Sequence, residues 1–439
     1  MTQPREAKEA AQFIDWFRQS SPYIHAFRGK VFVVVFDGEI MDGPQFPKLI
    51  QDLTLLNNLG IKLVLMHGLR PQIDRQLHKA KATSRFHHGI RITDDIAMKH
   101  MKDALGSTRI MIESLLSMGL SNTPISRQEI RMVSGNFITA CPMGVIDGIN
   151  HLHTGKVRRI DHTAIQQYLA DNAIVLLSPI GYSPTGESFN LMAHETATAA
   201  AIALQADKLI FLTSQRQALP RELTLTEAKA IASGSSSSLQ ALSPLQLSCL
   251  ACGKGVRRCH ILNQAVDGAI LLELFTRDGC GTLVSADHYD DIRHADITDV
   301  GGIMNLIEPL EEKKVLVKRS RQTLETDIHH YIVVERDGTI IGCAALFPFH
   351  AEKAGEIACL AVHGDYQNRG YGDKLLKYLV RQGRKMNLEK LFVLTTQTTH
   401  WFLERGFQEI DPGVLPVERR LLYNYQRKSR TLIKPLPPG

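Results

Sequence analysis

The run Val31-Phe32-Val33-Val34-Val35-Phe36 contains no polar side chain, and 61–66 (IKLVLM), 173–177 (AIVLL) and 208–213 (KLIFLT) come close to the same composition. A strand with one face in water alternates polar and apolar residues; these do not, so both of their faces must be covered. Helical spacing fills the intervals: 46–59, closed by Gly60, then 95–118, then an Ala-rich stretch over 190–205. Apolar strands alternating with helices predict a three-layer α/β domain with a mainly parallel sheet. Binding sites in such sheets gather at the carboxyl ends of the strands.

Before this pattern, Ala10, Phe13, Ile14 and Phe17 recur near helical spacing, which predicts an amphipathic helix over 5–19 ending ahead of Ser20-Ser21-Pro22. Within it, 130–140 reads as one strand with a bend at Gly135, followed by a small strand pair between 144 and 160 with turns at Asp147-Gly148 and Thr154-Gly155. Residues 214–248, with the tract Gly234-Ser235-Ser236-Ser237-Ser238, interrupt the alternation.

At 439 residues the chain has room for two or three domains, and it has no apolar run long enough to cross a bilayer. The charged opening stretch 1–9 has no apolar segment behind it, so the expectation is a cytoplasmic protein that engages no membrane. Net charge is +6, with basic residues concentrated near the C-terminus. Without interleaved aromatics or a nucleic-acid motif, that excess suits an anionic small substrate, and no nucleic acid is expected. The seven cysteines argue against a disulfide framework. Cys249, Cys252, Cys259 and His260 have the residue types of a zinc site, but adjacent residues of a strand face opposite ways, so buried thiols are the competing reading.

Three segments carry a family resemblance: 178–181 (SPIG), 186–191 (GESFNL) and 206–213 (ADKLIFLT). Together they resemble the amino acid kinase family, most closely the acetylglutamate kinases. That family holds ATP phosphates with a lysine and glycines after the first strand and uses an aspartate beyond the later Asn. Here Phe36-Asp37-Gly38 has no lysine, the turn 67–70 has one glycine, His194 stands near the aspartate's place and Ser214 follows Leu-Thr. Phosphoryl transfer rests on charge stabilisation, so a kinase fold without kinase chemistry is expected. The segments 253–262 and 268–282, with the N-terminal helix, are similar to arginine-inhibited acetylglutamate kinases and to bacterial N-acetylglutamate synthases. This resemblance implies an arginine site with Lys208, His260, Glu273 and Gly281 as contacts. Read from spacing alone, Glu273 is a solvated helix residue.

The remaining stretch turns on Gln367-Asn368-Arg369-Gly370-Tyr371-Gly372, between the apolar run 356–362 and the helix-like 373–380. Glycines at a helix start let backbone N–H groups face an anion, although the spacing is neither that of a dinucleotide turn nor that of a nucleotide-triphosphate loop, and a plain tight turn fits as well. A hairpin over 331–346 turning at Asp337-Gly338, the 356–362 strand, Q-x-x-G-x-G, a helix, a strand over 391–396 and 402–407 (FLERGF) together resemble the GNAT acetyltransferases. The resemblance implies acetyl-CoA as cosubstrate, no metal, and a bound cofactor touching Leu360, Val362, Gln367, Arg369, Gly370, Tyr371 and Gly372.

By the same resemblance Glu356 is the expected base and Thr395 the hydroxyl assisting the leaving thiol, with Tyr423 in reserve. Arg319, Arg419, Arg420 and Arg427 are expected to anchor the carboxylates of L-glutamate, for which planar guanidiniums are suited. An ordinary strand carboxylate and ordinary surface arginines are the competing readings. The expected layout is an N-terminal helix (1–20), an amino acid kinase-like regulatory domain (21–285), a linker (286–292) and a GNAT α+β domain (293–439). The expected activity makes N-acetyl-L-glutamate for arginine biosynthesis, with L-arginine as regulator of a homo-oligomer, a hexamer by resemblance. Acetylation of another amine, or arginine sensing without catalysis, stays open at this point.

Overall fold

The computed structural model describes residues 4–118, 130–214, 218–233, 241–276, 279–285, 291–336, 339–367, 370–421 and 429–436. The chain forms two compact units, Met1–His288 and Tyr289–Gly439. The first unit runs α1 (Pro4–Phe27), β1 (Val31–Phe36), α2 (Phe46–Asn58), β2 (Lys62–His67), α3 (Arg70–Lys79), β3 (Arg85–His87), β4 (Ile90–Ile92) and α4 (Asp95–Ser117). It continues β5 (Met132–Val133), β6 (Ile138–Pro142), β7 (Val145–Ile146), β8 (Ile149–Asn150), β9 (Gly155–Ile160), α5 (His162–Ala170), β10 (Ile174–Leu177), β11 (Ile180–Tyr182), β12 (Ser188–Asn190) and α6 (Ala193–Leu204). It closes with β13 (Lys208–Thr213), β14 (Glu222–Thr224), α7 (Leu225–Ser233), α8 (Pro244–Gly253), β15 (Arg258–Asn263), α9 (Ala269–Phe275) and β16 (Thr282–Ser285).

Its main sheet has eight strands in the order β14-β16-β15-β13-β1-β2-β10-β5, parallel except where β15 meets β16. The period of two sends Val33 and Val35 to a core shared with α5, α6 and α8, and Phe32, Val34 and Phe36 to a core shared with α2, α4 and α9. This double coverage is the reason β1 is wholly apolar. A second sheet, β12-β11-β6-β9, and the hairpins β3–β4 and β7–β8 complete the unit.

Several local expectations are corrected. Helix α1 continues through Pro22 to Phe27 instead of stopping before Ser20. A proline removes one helical hydrogen bond, but tertiary contacts outweigh it. Ser20 Oγ donates to the carbonyls of Trp16 (2.9 Å) and Phe275 (3.0 Å), and the Phe27 ring lies 5.5 Å from Phe32 and 6.0 Å from Phe275. The expected boundary at residue 20 therefore falls inside a helix. The stretch 130–140 is two strands in two different sheets, β5 and β6, not one bent strand. Gly155 begins β9 instead of forming a turn, because a Cβ there would lie 2.6 Å from Phe189 Cβ and 2.8 Å from the Cys141 carbonyl oxygen. Asn190 ends a strand, and the Ala-rich helix starts at Ala193. The irregular interval contains β14, α7 and the start of α8, whose Ser243 and Gln246 form a capping box.

The second unit runs β17 (Asp291–His294), α10 (Val300–Glu312), α11 (Arg321–Asp327), β18 (Tyr331–Arg336), β19 (Thr339–Phe349), β20 (Ala354–Val362), α12 (Tyr371–Lys385), β21 (Lys390–Thr395), α13 (Thr399–Leu403), β22 (Gln408–Ile410), α14 (Val417–Leu421) and β23 (Arg430–Pro435). Residues 291 and 292, expected in the linker, are strand residues paired with β18. The seven strands order as β17-β18-β19-β20-β21-β23-β22 and are antiparallel except for β20 with β21. Ile303, Leu306 and Leu324 of α10 and α11 cover one face; Leu375, Leu376 and Leu379 of α12 cover the other. The hairpin turn expected at Asp337-Gly338 lies outside the described residues.

One irregularity positions the site. The β20–β21 ladder pairs Ala354 to Ile357 with Lys390 to Val393 and goes no further, although β20 runs to Val362 and β21 to Thr395. On the other edge, two residues of β20, Cys359 and Leu360, stand opposite one of β19 between Cys343 and Ala345, a bulge in β20 with Cys359 at φ 52°. The bulge bends the central strand away from its parallel neighbour. A wedge opens between them.

Candidate active site

A cavity of about 400 Å³ occupies the wedge, lined among others by Arg319, Glu356, Leu360, Thr395, Arg419 and Ser429. Glu356 is 8% exposed, so it is not the solvated strand carboxylate of the competing reading. Its partner is Arg419 on α14: Nε donates to Oε2 at 2.6 Å and Nη2 to Oε1 at 3.0 Å. Thr395, at the end of β21, accepts from the backbone N–H of Thr398 (3.0 Å) and lies 2.8 Å from Thr398 Oγ1. The Thr398 N–H fixes the Thr395 oxygen, and either hydroxyl of the Thr395–Thr398 pair can be the donor.

Arg319 reaches the cavity from the loop before α11, where its backbone N–H is held by Glu311 Oε1 at 2.9 Å. Its guanidinium is held above its ordinary pKa. Burial opposes this, but Cys359, Tyr331 and Glu356 outweigh it. Arg420 is not brought in: it is exposed and Nη1 donates to the Gly413 carbonyl at 3.1 Å. Consecutive helix residues point about 100° apart, so Arg419 and Arg420 cannot serve one pocket wall. Arg369, Arg427 and Tyr423 lie outside the described residues. Sequence reading missed Thr398 and Ser429; the Thr-x-x-Thr spacing at 395–398 was the available signal for the first.

The glycine stretch divides by role. Gly370 caps α12 at φ 81°, a conformation glycine adopts without strain, with open space where a Cβ would lie. Gly372 instead lets the helix approach Trp401, whose Cζ2 would be 2.9 Å from a Cβ. Tyr371 is buried, its ring 5.9 Å from that of Tyr366, and Gln367 Nε2 donates to the Val362 carbonyl at 3.2 Å. Leu360 and Val362 lie past the end of the β20–β21 ladder. The β20 edge there has no β21 partner in the ladder.

In the first unit, the carboxyl end of β1 carries Asp37 where a kinase would hold phosphate. Asp37 Oδ1 lies 2.9 Å from His194 Nε2, and Oδ2 accepts from Thr213 Oγ1 (2.8 Å) and the Ser214 N–H (3.0 Å). Burial works to raise this carboxyl, but His194, Ser214 and Thr213 together hold it below the usual range. A carboxylate in this place repels phosphate.

The other cluster lies under α1. Lys208 Nζ is 3.2 Å from His260 Nε2, and His260 Nδ1 is 2.7 Å from Glu273 Oε1. Glu273 Oε2 accepts the N–H groups of Cys280 (2.8 Å) and Gly281 (2.9 Å). Burial, then the charge of Lys208, lowers His260 to a pKa of about 4, so at neutral pH Nδ1–H donates to Glu273 and Nε2 accepts from Lys208. Burial alone would raise Glu273; His260 and the two amides outweigh it and hold it at about 2. With its side chain 6% exposed, Glu273 is a buried anion, which corrects the solvated-helix reading. Gly281 is tightly placed, since a Cβ would fall 2.3 Å from Leu262 Cδ2. Cys259 faces the opposite way, its Sγ 3.6 Å from that of Cys252, so His260 and these thiols do not share a site.

These two folds define a class: an amino acid kinase domain followed by an acetyltransferase domain. The Amino acid kinase family model matches residues 30–263 and the Acetyltransferase (GNAT) family model residues 302–407. The amino-acid acetyltransferase of Azotobacter vinelandii is 48% identical over 97% of this chain and 99% of its own length; that of Pseudomonas fluorescens is 46% identical over 97% and 100%. The chain belongs to the amino-acid acetyltransferase family. Among solved structures, N-acetylglutamate synthase from Neisseria gonorrhoeae complexed with coenzyme A and L-arginine is 37% identical, covers 97% of this chain and 99% of that one, and has a TM-score of 0.86. The same enzyme complexed with coenzyme A and N-acetyl-glutamate matches with a TM-score of 0.61.

Proposed function

We propose that the second unit transfers the acetyl group of acetyl-CoA to the α-amino group of L-glutamate, giving N-acetyl-L-glutamate and CoA. The observation that carries this reading is the buried Glu356–Arg419 pair facing Thr395 across one cavity. A glutamate ammonium must lose a proton before its lone pair can attack the thioester carbonyl. Glu356 is the group to receive it. The carboxylates of the substrate compete for the guanidiniums of Arg419 and Arg319, which frees a Glu356 oxygen for the ammonium. Thr395, its oxygen already accepting an amide, points its O–H at the departing sulfur and steadies the thiolate by a hydrogen bond, and the proton taken up by Glu356 leaves to solvent or to that thiolate. Leu360, Val362, Gly370 and the α12 N-terminus receive pantetheine and pyrophosphate.

In the first unit, L-arginine binds beside Lys208, His260, Glu273 and Gly281, its guanidinium on the Glu273 carboxylate, and regulates transfer. The exposed stripe Phe13, Ile14, Trp16 and Phe17 on α1 (62%, 46%, 42% and 54% exposed) suits self-association, in line with a hexamer. Among the described residues no helix is long and apolar enough to cross a membrane, and the free cysteines suit a reducing, cytoplasmic setting. The test is CoA release with glutamate against a panel of amines, with and without arginine. A rate with glutamate no higher than with other amines overturns the reading.

A further inference from the structure

Two hairpin tips of the first unit meet, and they share no residue with the sites described above. The β3–β4 hairpin turns at His88-Gly89 (φ 51° and 76°) and the β7–β8 hairpin at Asp147-Gly148 (φ 50° and 78°). Neighbouring strand residues ordinarily point to opposite faces, but the positive φ of His88 turns its ring beside that of His87, 4.0 Å between centroids. Both then face Asp147: His88 Nε2 is 3.0 Å and His87 Nε2 3.8 Å from its Oδ2, and one ligand atom of each residue lies within 4.8 Å of the others.

An ion pair between His88 and Asp147 accounts for the shorter distance alone. It leaves unexplained the second ring and two buried nitrogens, His87 Nδ1 and His151 Nε2, that have no hydrogen-bond partner among the described residues. His151 is 0% exposed and its ring stands 5.7 Å from that of His87. Its Nδ1 lies 3.2 Å from the Ile149 carbonyl, which can only accept, so Nδ1 carries the proton and Nε2 presents a lone pair. A buried unpaired nitrogen of this kind is costly unless something uses it.

We propose that His87, His88 and Asp147 bind one divalent late first-row transition metal ion per chain, with His151 as the positioning residue behind His87. Donor atoms around a tetrahedral ion at about 2.0–2.1 Å stand roughly 3.3 Å apart, between the two distances here. When His87 gives Nε2 to the metal, its Nδ1–H needs an acceptor, as metal-bound imidazoles do, and His151 Nε2 is the one at hand. Two imidazoles and one carboxylate select Zn2+, Co2+ or Ni2+ over Mg2+ or Ca2+, which take oxygen donors. The ion fastens the two hairpins to each other and leaves its fourth position to water. It takes no part in acetyl transfer.

The experiment uses the full-length chain, stripped with a chelator and titrated with Co2+ and then Zn2+. Saturation at one equivalent, with ligand-field absorption that Zn2+ abolishes and no thiolate-to-metal band, is expected. His88→Asn and Asp147→Asn keep residues that tolerate positive φ, so each folds as the parent by circular dichroism and weakens binding at least tenfold. His151→Phe weakens it about 10–100-fold with the stoichiometry unchanged. Absence of saturable binding, a thiolate band, or parent-like affinity in both Asn variants overturns the site.

Discussion

Arg419 closes a bidentate fork on Glu356, with Nε to Oε2 at 2.6 Å and Nη2 to Oε1 at 3.0 Å, joining α14 to the central strand of the acetyltransferase sheet across 63 residues of chain. The side chains are only 22% and 10% exposed, so each charge is compensated in part by the other. In the proposed mechanism the same pair opens when substrate arrives. Stability and turnover are therefore coupled through it.

Glu356→Gln is expected to lower turnover by about 10²–10⁴ while leaving acetyl-CoA affinity nearly intact. The loss is greatest at the acid end of the profile, where the substrate amine is most fully protonated. Steady-state rates across pH, with calorimetry for acetyl-CoA, check this. Unchanged turnover across pH removes Glu356 as the base.

Arg419→Ala strands a buried carboxylate and costs on the order of 1–3 kcal/mol of stability, besides raising KM for glutamate. Adding Glu356→Gln removes the stranded charge and returns part of that loss. A double-mutant cycle by denaturant unfolding measures the coupling. Strict additivity contradicts the pairing.

Two histidines of the first unit set a pH dependence of stability. Burial lowers His67 to about 4, the Gly68 carbonyl working against it, and His260 sits at about 4 as well. The unfolded chain takes up both protons near 6.5 and the folded chain does not, so stability is full above that pH and falls as pH drops toward 4, by on the order of 3 kcal/mol per group. Thermal midpoints between pH 7 and 4 test this, and His67→Gln removes one proton from the slope. A flat midpoint over that window contradicts the burial of both rings as neutral imidazoles.

Glu273→Gln should weaken arginine binding at least tenfold, because a guanidinium loses the carboxylate that two amides and His260 hold in place. Isothermal calorimetry with the full chain decides it, and wild-type affinity would place arginine elsewhere.

With ATP and N-acetylglutamate, no phosphoryl transfer is expected, and His194→Asp does not restore it, since Asp37 still stands where a lysine is needed. Robust transfer by the unaltered chain would overturn that account.

The layer structure was legible from residue order. Apolar runs such as Val31–Phe36 require cover on both faces, and the two cores beside β1 supply it. The helix capped by Gly370 and the strand bearing Glu356 were legible in the same way, since each depends on neighbours within a few residues. Pro22 misled because local propensity marks a helix end there, while Ser20 and Phe27 are tied to Phe275, some 250 residues on.

What the sequence determined by itself was burial period and the set of charged groups available to each unit, both of which are local properties. Only the tertiary structure decided which of those groups meet. Arg419 faces Glu356 and its neighbour Arg420 faces the Gly413 carbonyl, because one helical residue turns the side chain by about 100°. Glu273 became a buried anion because strand and loop crossings brought His260 and two amides around it. Charges act through distance and exclusion of water, and both are set by chain crossings that no local pattern encodes.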